Sequence, residues 1–238
     1  MDIQGKTVLV TGANRGIGAA LVRAFLKHGA GKIYAGVRDL SAMPDFNDGR
    51  VSAVQLDITK PDDVSAAAQK LGEIDVLVNN AGVMTGSDIL SATSAQLAAD
   101  MDVNYYGTVR VVQAFAPLIE KSGGGVIANV ISVLGLAPMS YAAGYSISKA
   151  ALLSATQAAR ASLKSKKIKV VGIFPGPIDT QMASRLPIEK TSPNVAAEEI
   201  LKGLIEDQED IYPDPVSKQV SGIWNSNPKG LEHHFATM

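Results

Sequence analysis

The 238-residue sequence has no cysteine. A disulfide framework, a thiolate nucleophile, an iron–sulfur cluster and every cysteine-based zinc site are therefore excluded. Histidine is scarce too. His28, His233 and His234 are too few for a histidine-rich metal centre, and no metal is expected. An excess of charge of one sign is also missing: 22 Lys and Arg against 23 Asp and Glu leave a formal net charge of −1. This gives no whole-chain electrostatic case for a nucleic-acid or anionic-membrane partner. No run reaches the roughly 18 apolar residues of a membrane span. Asp2 precedes the first apolar run at Thr7, with no basic region or cleavage signal ahead of it, so a cytoplasmic protein is expected. Linker-like Pro/Gly/Ser stretches and short-period repeats are absent, and residues 1–238 are expected to form a single domain.

Apolar residues make up 46% of the chain, enough for a substantial core, and 22 are glycine, somewhat above the usual share of about 7%. Short β-branched runs at 6–11, 32–37, 51–56, 74–79, 126–132, 169–174 and about 211–212 read as strands. Longer alanine-rich patterns at 17–28, 61–70, 95–121, 145–164 and 194–206 read as helices, with Thr59 as the expected cap of the second and Pro61 in its first turn. Apolar strands alternating with helices predict a parallel sheet covered on both faces. The tail after Pro215 is expected to fold back as short helices and loops.

The first strand runs into Thr11-Gly12-Ala13-Asn14-Arg15-Gly16-Ile17-Gly18. This spacing is neither the G-x-G-x-x-G fingerprint nor a P-loop. Its physics is shared with both, because absent side chains let main chain approach a ligand and a helix N-terminus meets phosphate with free N–H groups. A tight strand-to-helix turn without a ligand is the competing reading. Arg15 inside the turn and Arg38 at the end of the second strand would favour a 2′-phosphate, hence NADP over NAD. Asp39 could turn away while Arg38 faces the ribose. Either arginine alone could be a solvated surface charge.

Tyr145 and Lys149 are four apart at the start of a helix and so share a face. Gly12, Asn79 and Ser132 all fall at carboxyl ends of strands, where ligands gather in a doubly wound sheet. Asn104 sits inside a long helical pattern where asparagine is mildly unfavourable. Carbonyl reduction needs a hydride on carbon and a proton on oxygen. A tyrosine of pKa about 10 is a poor base near neutrality, and a neighbouring ammonium would draw it down.

In order along residues 5–180, the glycine turn, Asp57, Asn79-Asn80-Ala81-Gly82, Asn104, Ser132, Tyr145-Ser146-Ile147-Ser148-Lys149 and Pro175-Gly176-Pro177-Ile178-Asp179-Thr180 resemble the classical short-chain dehydrogenase/reductase superfamily. The resemblance implies a Rossmann-like three-layer αβα sandwich, with a mainly seven-stranded parallel sheet, and NADP as cofactor. It assigns catalysis to Asn104, Ser132, Tyr145 and Lys149, with Tyr145 as acid/base and Ser132 orienting the substrate oxygen. Lys149 would also hold the nicotinamide ribose, and Asn104 a water. For the cofactor it implies Gly12, Asn14, Arg15, Ile17 and Gly18 around the pyrophosphate and Arg38 at the 2′-phosphate. Asp57 and Ile58 would approach adenine, Asn79 and Ala81 the adenosine half, and Pro175, Ile178 and Thr180 the nicotinamide side. Plainer readings exist: Ile17 and Ile58 as core, Asp57 as a turn residue, Thr180 as a local cap.

The expected substrate pocket draws on Val83, Met84, Val133, Leu134, Leu136, Pro138, Met139, Tyr141, Met182 and Leu186. This apolar inventory suits a hydrophobic ketone, aldehyde or alcohol, although several members could simply pack beneath a lid. Arg185 is the candidate for reading a carboxylate. Alanines at 150, 151, 155, 158, 159 and 161 would permit close helix contact, and a homodimer or homotetramer follows from the resemblance. An isomerase- or dehydratase-like relative and an NADP-binding sensor or scaffold without turnover are the rival readings.

Overall fold

A computed structural model describes residues 1–184 and 186–237; the expectation for Arg185 lies outside them. In chain order the elements are β1 (Thr7–Thr11), α1 (Gly16–Lys27), β2 (Lys32–Val37), β3 (Val51–Gln55), α2 (Pro61–Leu71), β4 (Val76–Asn79), α3 (Ser94–Met101), α4 (Thr108–Lys121), β5 (Gly125–Val130), α5 (Ala143–Leu163), β6 (Ile168–Ile173), α6 (Pro193–Ile205), β7 (Asp210–Ile211), α7 (Pro215–Ser226) and α8 (Pro228–Ala236). All seven strands pair in parallel, in the order β3-β2-β1-β4-β5-β6-β7.

Alternation along each strand feeds two cores. Val8 and Val10 of β1, Val76 and Val78 of β4, and Ala128 of β5 pack on one face with Leu21 and Phe25 of α1 and Ile200 and Leu204 of α6. Leu9, Leu77 and Ile127 point the other way, onto Val64 of α2 and Val111, Phe115 and Ile119 of α4. Burial on both faces is what makes the strands continuously apolar. The result is the Rossmann-like α/β sandwich with a seven-stranded sheet. Its strand order reverses between β1 and β4, the place where such sheets open a ligand crevice at their carboxyl edge. Among the described residues no helix is long and apolar enough to cross a membrane.

Two local expectations change, and the tail follows its own. Thr59 does not cap α2: the cap position is Lys60, without a side-chain bond. The Thr59 hydroxyl instead donates to Asp57 Oδ1 at 2.7 Å. The single helix expected over 95–121 is α3 and α4 joined by a π-turn, Asp102–Gly107, that carries Asn104. Gly107 closes that turn against Ile58, whose Cγ1 would lie 2.8 Å from a Cβ at 107. The tail is two helices, and Val220, Leu231 and Phe235 form a small core with Val133 and Ala137.

Candidate active site

The glycine turn is built for closeness. Gly12 (φ +63°) and Gly16 (φ +54°) adopt left-handed backbone that costs other residues strain. A Cβ on Gly12 would stand 2.8 Å from the Ala81 Cα, and one on Gly18 2.2 Å from the Gly12 carbonyl oxygen. Asn80 pins the turn from β4. Its amide donates to the carbonyls of Thr11 and Gly12 at 2.9 and 3.1 Å, while Thr11 Oγ1 accepts from the Asn80 and Ala81 N–H groups. A cleft of about 400 Å3 runs along the turn, lined by Asn14, Arg15, Gly16, Arg23, Thr180 and Gln181. Arg15 donates to the Gln181 side chain across it.

At the end of β2 two neighbouring charges separate. Asp39 accepts from the Ser41 amide and hydroxyl at 2.9 and 2.8 Å, which hold its carboxyl below the ordinary range. Arg38 is exposed; its main-chain carbonyl accepts from Gln55, and among the described residues its guanidinium has no hydrogen-bond partner.

Ser132, Tyr145 and Lys149 come together beyond β5, each at most 9% exposed. Ser132 Oγ accepts from Leu134 N at 3.1 Å. Lys149 Nζ donates to the Val130 carbonyl at 2.8 Å and lies 5.6 Å from the Tyr145 ring centroid. Gly82 makes room for it: a Cβ there would fall 3.6 Å from Nζ and 3.0 Å from Asn104 Oδ1. Burial pushes the Tyr145 phenol up to about 12, against a Ser132 hydrogen bond that draws it down. Burial brings Lys149 down to about 7. The sequence-based expectation was a tyrosine lowered by its lysine. Here burial is the largest influence on the phenol, and it acts upward.

Other expected residues take structural duties. The Asn104 side chain accepts from Val83 N (2.9 Å) and donates to Val83 O (2.8 Å) and Ser148 Oγ (2.9 Å). Asn79 donates to Asn129 at 2.8 Å beneath the sheet, and its Oδ1 is buried without a partner. Asp57 binds the Thr59 amide and hydroxyl, as a turn residue does. Ile58 and Ile178 are buried, and Ile17 packs against the core. Thr180 donates to the Ile178 carbonyl at 3.3 Å, with its methyl 3.0 Å from a Cβ position on Gly16. Pro175 lends its carbonyl to Val133 N. Of the expected pocket residues, Val133, Leu134, Leu136 and Met139 pack with the tail helices, whereas Tyr141 and Met182 are exposed. The duties of Asn80 and Gln181 are not visible in sequence, because each acts on a segment distant in the chain.

A family model for short chain dehydrogenase matches residues 6–191. The chain belongs to the classical short-chain dehydrogenase/reductase family. Among solved structures it resembles a short-chain dehydrogenase from Burkholderia cenocepacia in complex with NADP, at 36% identity and a TM-score of 0.93, covering 99% of both chains. It resembles 3-ketoacyl-(acyl-carrier-protein) reductase from Brucella melitensis complexed with NADH at 26% identity and a TM-score of 0.79, covering 90% of this chain and 93% of that one. A curated relative, 3-oxoacyl-(acyl-carrier-protein) reductase of Chlamydia muridarum, is 34% identical over 76% of this chain and 77% of its own. As a short-chain dehydrogenase/reductase, the chain is a member of an oxidoreductase family.

Proposed function

We propose that the protein interconverts a ketone or aldehyde with its alcohol using NADP, with Tyr145 as general acid and base. The observation that carries this reading is the buried grouping of Ser132 and Lys149 around Tyr145. The cofactor fits the residues present. Gly12 and Gly18 leave bare main chain at the turn, packed where a Cβ would collide with Ala81 or with the Gly12 carbonyl, and among the described residues the Arg38 guanidinium has no hydrogen-bond partner while Asp39 is occupied by Ser41. The NADP of the Burkholderia protein supports the phosphorylated form more strongly than the NADH of the more distant Brucella reductase opposes it. When bound, the nicotinamide supplies or accepts the hydride.

The remaining steps belong to the chain. Ser132 Oγ hydrogen-bonds the substrate oxygen and orients it beside the phenol. Tyr145, protonated at neutral pH, donates its proton to that oxygen in reduction and takes it back in oxidation. Lys149 stabilises the phenolate as its positive neighbour and holds the nicotinamide ribose. Val83, Met84, Tyr141 and Met182, the residues expected from the sequence to line the substrate side, are largely apolar, which favours a hydrophobic carbonyl compound. The exposed alanines Ala150, Ala158 and Ala161 on α5 support a homodimer or homotetramer.

Purified protein mixed with NADPH and a panel of ketones and aldehydes should consume the reduced cofactor. Tyr145→Phe should abolish turnover while retaining cofactor binding. Binding without turnover across the panel would instead favour a sensor or scaffold.

A further inference from the structure

Two carboxylates are shut away from solvent, Asp100 at 0% exposure and Asp214 at 1%. Asp214 is explained by the fold, since it caps α7 through Ser217 N and accepts from Gly176 N. Asp100 caps nothing. It lies in the last turn of α3 and accepts from Thr85 N at 3.1 Å and Thr85 Oγ1 at 2.8 Å. Both partners are neutral, whereas a buried carboxylate calls for a compensating charge.

Its surroundings lead to α5. Asp100 lies against Gly144 and Asn104 against Ser148, so matching four-residue steps bring the two helical runs together. A Cβ on Gly144 would stand 2.7 Å from Asp100 Oδ2, and the Asn104 amide donates to Ser148 Oγ. The absent side chain at 144 therefore seats a carboxylate against the turn that begins Tyr145. Lys149, the buried cation one turn further along α5, follows Ser148 directly, and a Cβ on Gly82 would stand 3.6 Å from its Nζ and 3.0 Å from Asn104 Oδ1. Ionisable groups on the surrounding elements also include Asp88 on the loop before α3, Asp102, Tyr105 and Tyr106 on the π-turn, Tyr141 just before α5 and Arg160 further along it. The Asp100 charge bears on both Tyr145 and Lys149.

We propose that Asp100 is a positioning residue of this site: the buried counter-charge that favours the ammonium form of Lys149 against its burial and so sets the pH range over which Tyr145 exchanges its proton. The inference rests on the acid/base reading of Tyr145 given above. A negative charge here favours the protonated form of both partners, and burial works against it at Lys149. Loss of one proton from the pair leaves either phenolate beside ammonium or phenol beside amine. Asp100 raises the pH at which that proton leaves.

The test is the pH–rate profile of the full chain with NADPH and the best substrate of the panel, for wild type, Asp100→Asn and Tyr145→Phe. The asparagine keeps the shape and an acceptor for Thr85 N but removes the charge. The limb on which reduction falls with rising pH should move down by about one pH unit, roughly a tenfold lower rate above the limb. A limb that stays in place, whatever the height of the plateau, overturns the proposal and leaves Asp100 a packing residue. If Asp100→Asn does not yield folded protein, the double variant Asp100→Ala/Thr85→Ala removes the charge together with its partner and is read the same way. Failure of both to fold also counts against the proposal. Turnover retained by Tyr145→Phe would instead defeat the underlying acid/base reading.

Discussion

The side-chain amide of Asn80 donates to the Gly12 carbonyl at 3.1 Å, and Gly18 must lack a side chain because its Cβ would lie 2.5 Å from the same amide nitrogen. The end of β4 thus holds the first turn of the cofactor cleft, through a residue that need not touch cofactor itself. Asn80→Ala leaves the carbonyls of Thr11 and Gly12 without this donor and frees the turn to wander. Losing such bonds costs about 1–3 kcal/mol. NADPH affinity measured by titration calorimetry should fall about tenfold, with a smaller change in kcat at saturating cofactor. An unchanged Kd would show that the turn is held by its glycines alone.

Arg38 and Asp39 make opposite predictions at adjacent positions. Arg38→Ala removes the guanidinium offered to a 2′-phosphate, and a charge-assisted hydrogen bond is worth roughly 1.5–3 kcal/mol. NADPH affinity should fall by about ten- to a hundredfold while NADH binding hardly moves. Equal losses for the two cofactors would defeat the assignment. Asp39→Asn should leave the NADPH/NADH ratio nearly unchanged, because that carboxylate is already occupied by Ser41.

Much of this arrangement was legible in the sequence, because apolar alternation and strand-end motifs act locally. The strands fall within two residues of their expected limits, and Gly12, Ser132, Tyr145 and Lys149 lie at the sheet edge that β–α alternation implies. The π-turn at Asn104 was not legible. No proline or glycine precedes Gly107 in that stretch, and the wider turn is set by contacts with Ile58, Val83 and Ser148 from three other segments. Asp100 left a faint sign, an acidic residue within Leu97-Ala98-Ala99-Asp100-Met101. Its burial depends on Gly144, which is 44 positions away. Asn79 and Asp57 show the reverse limit. A motif located both side chains, but their hydrogen bonds in the fold go to Asn129 and Thr59.

The depressed Lys149 has a consequence for stability. Its amine is held at about 7 in the folded protein, against about 10.4 in an unfolded chain. Between those values the unfolded state binds the extra proton, so stability rises with pH across that window. Below about 7 both states are protonated and the contribution is flat. The Tyr145 shift, from 10.0 to about 12, works in the opposite direction and only above about pH 10. The melting temperature of the cofactor-free protein should therefore climb from pH 7 to 9.5 relative to Lys149→Met, in which this contribution is absent. Parallel curves for the two proteins would show that Lys149 titrates normally.

The tail helices bear on catalysis through packing. Phe235 of α8, 4% exposed, belongs to the same small core as Ala137 and Val133, the latter directly after Ser132, and Leu134 N donates to Ser132 Oγ. Phe235→Ala empties that core and should cost about 3–5 kcal/mol, a large share of a typical stability of roughly 5–15 kcal/mol. The glycine turn and Arg38 lie on the opposite part of the sheet and do not share these contacts. Chemical denaturation should report the loss, and kcat should fall severalfold as Ser132 loses its fixed position. The NADPH Kd should stay within about twofold, because sites without shared partners respond independently. A variant that loses cofactor affinity in step with kcat would instead mean that the tail supports the whole cleft and not the substrate-orienting serine.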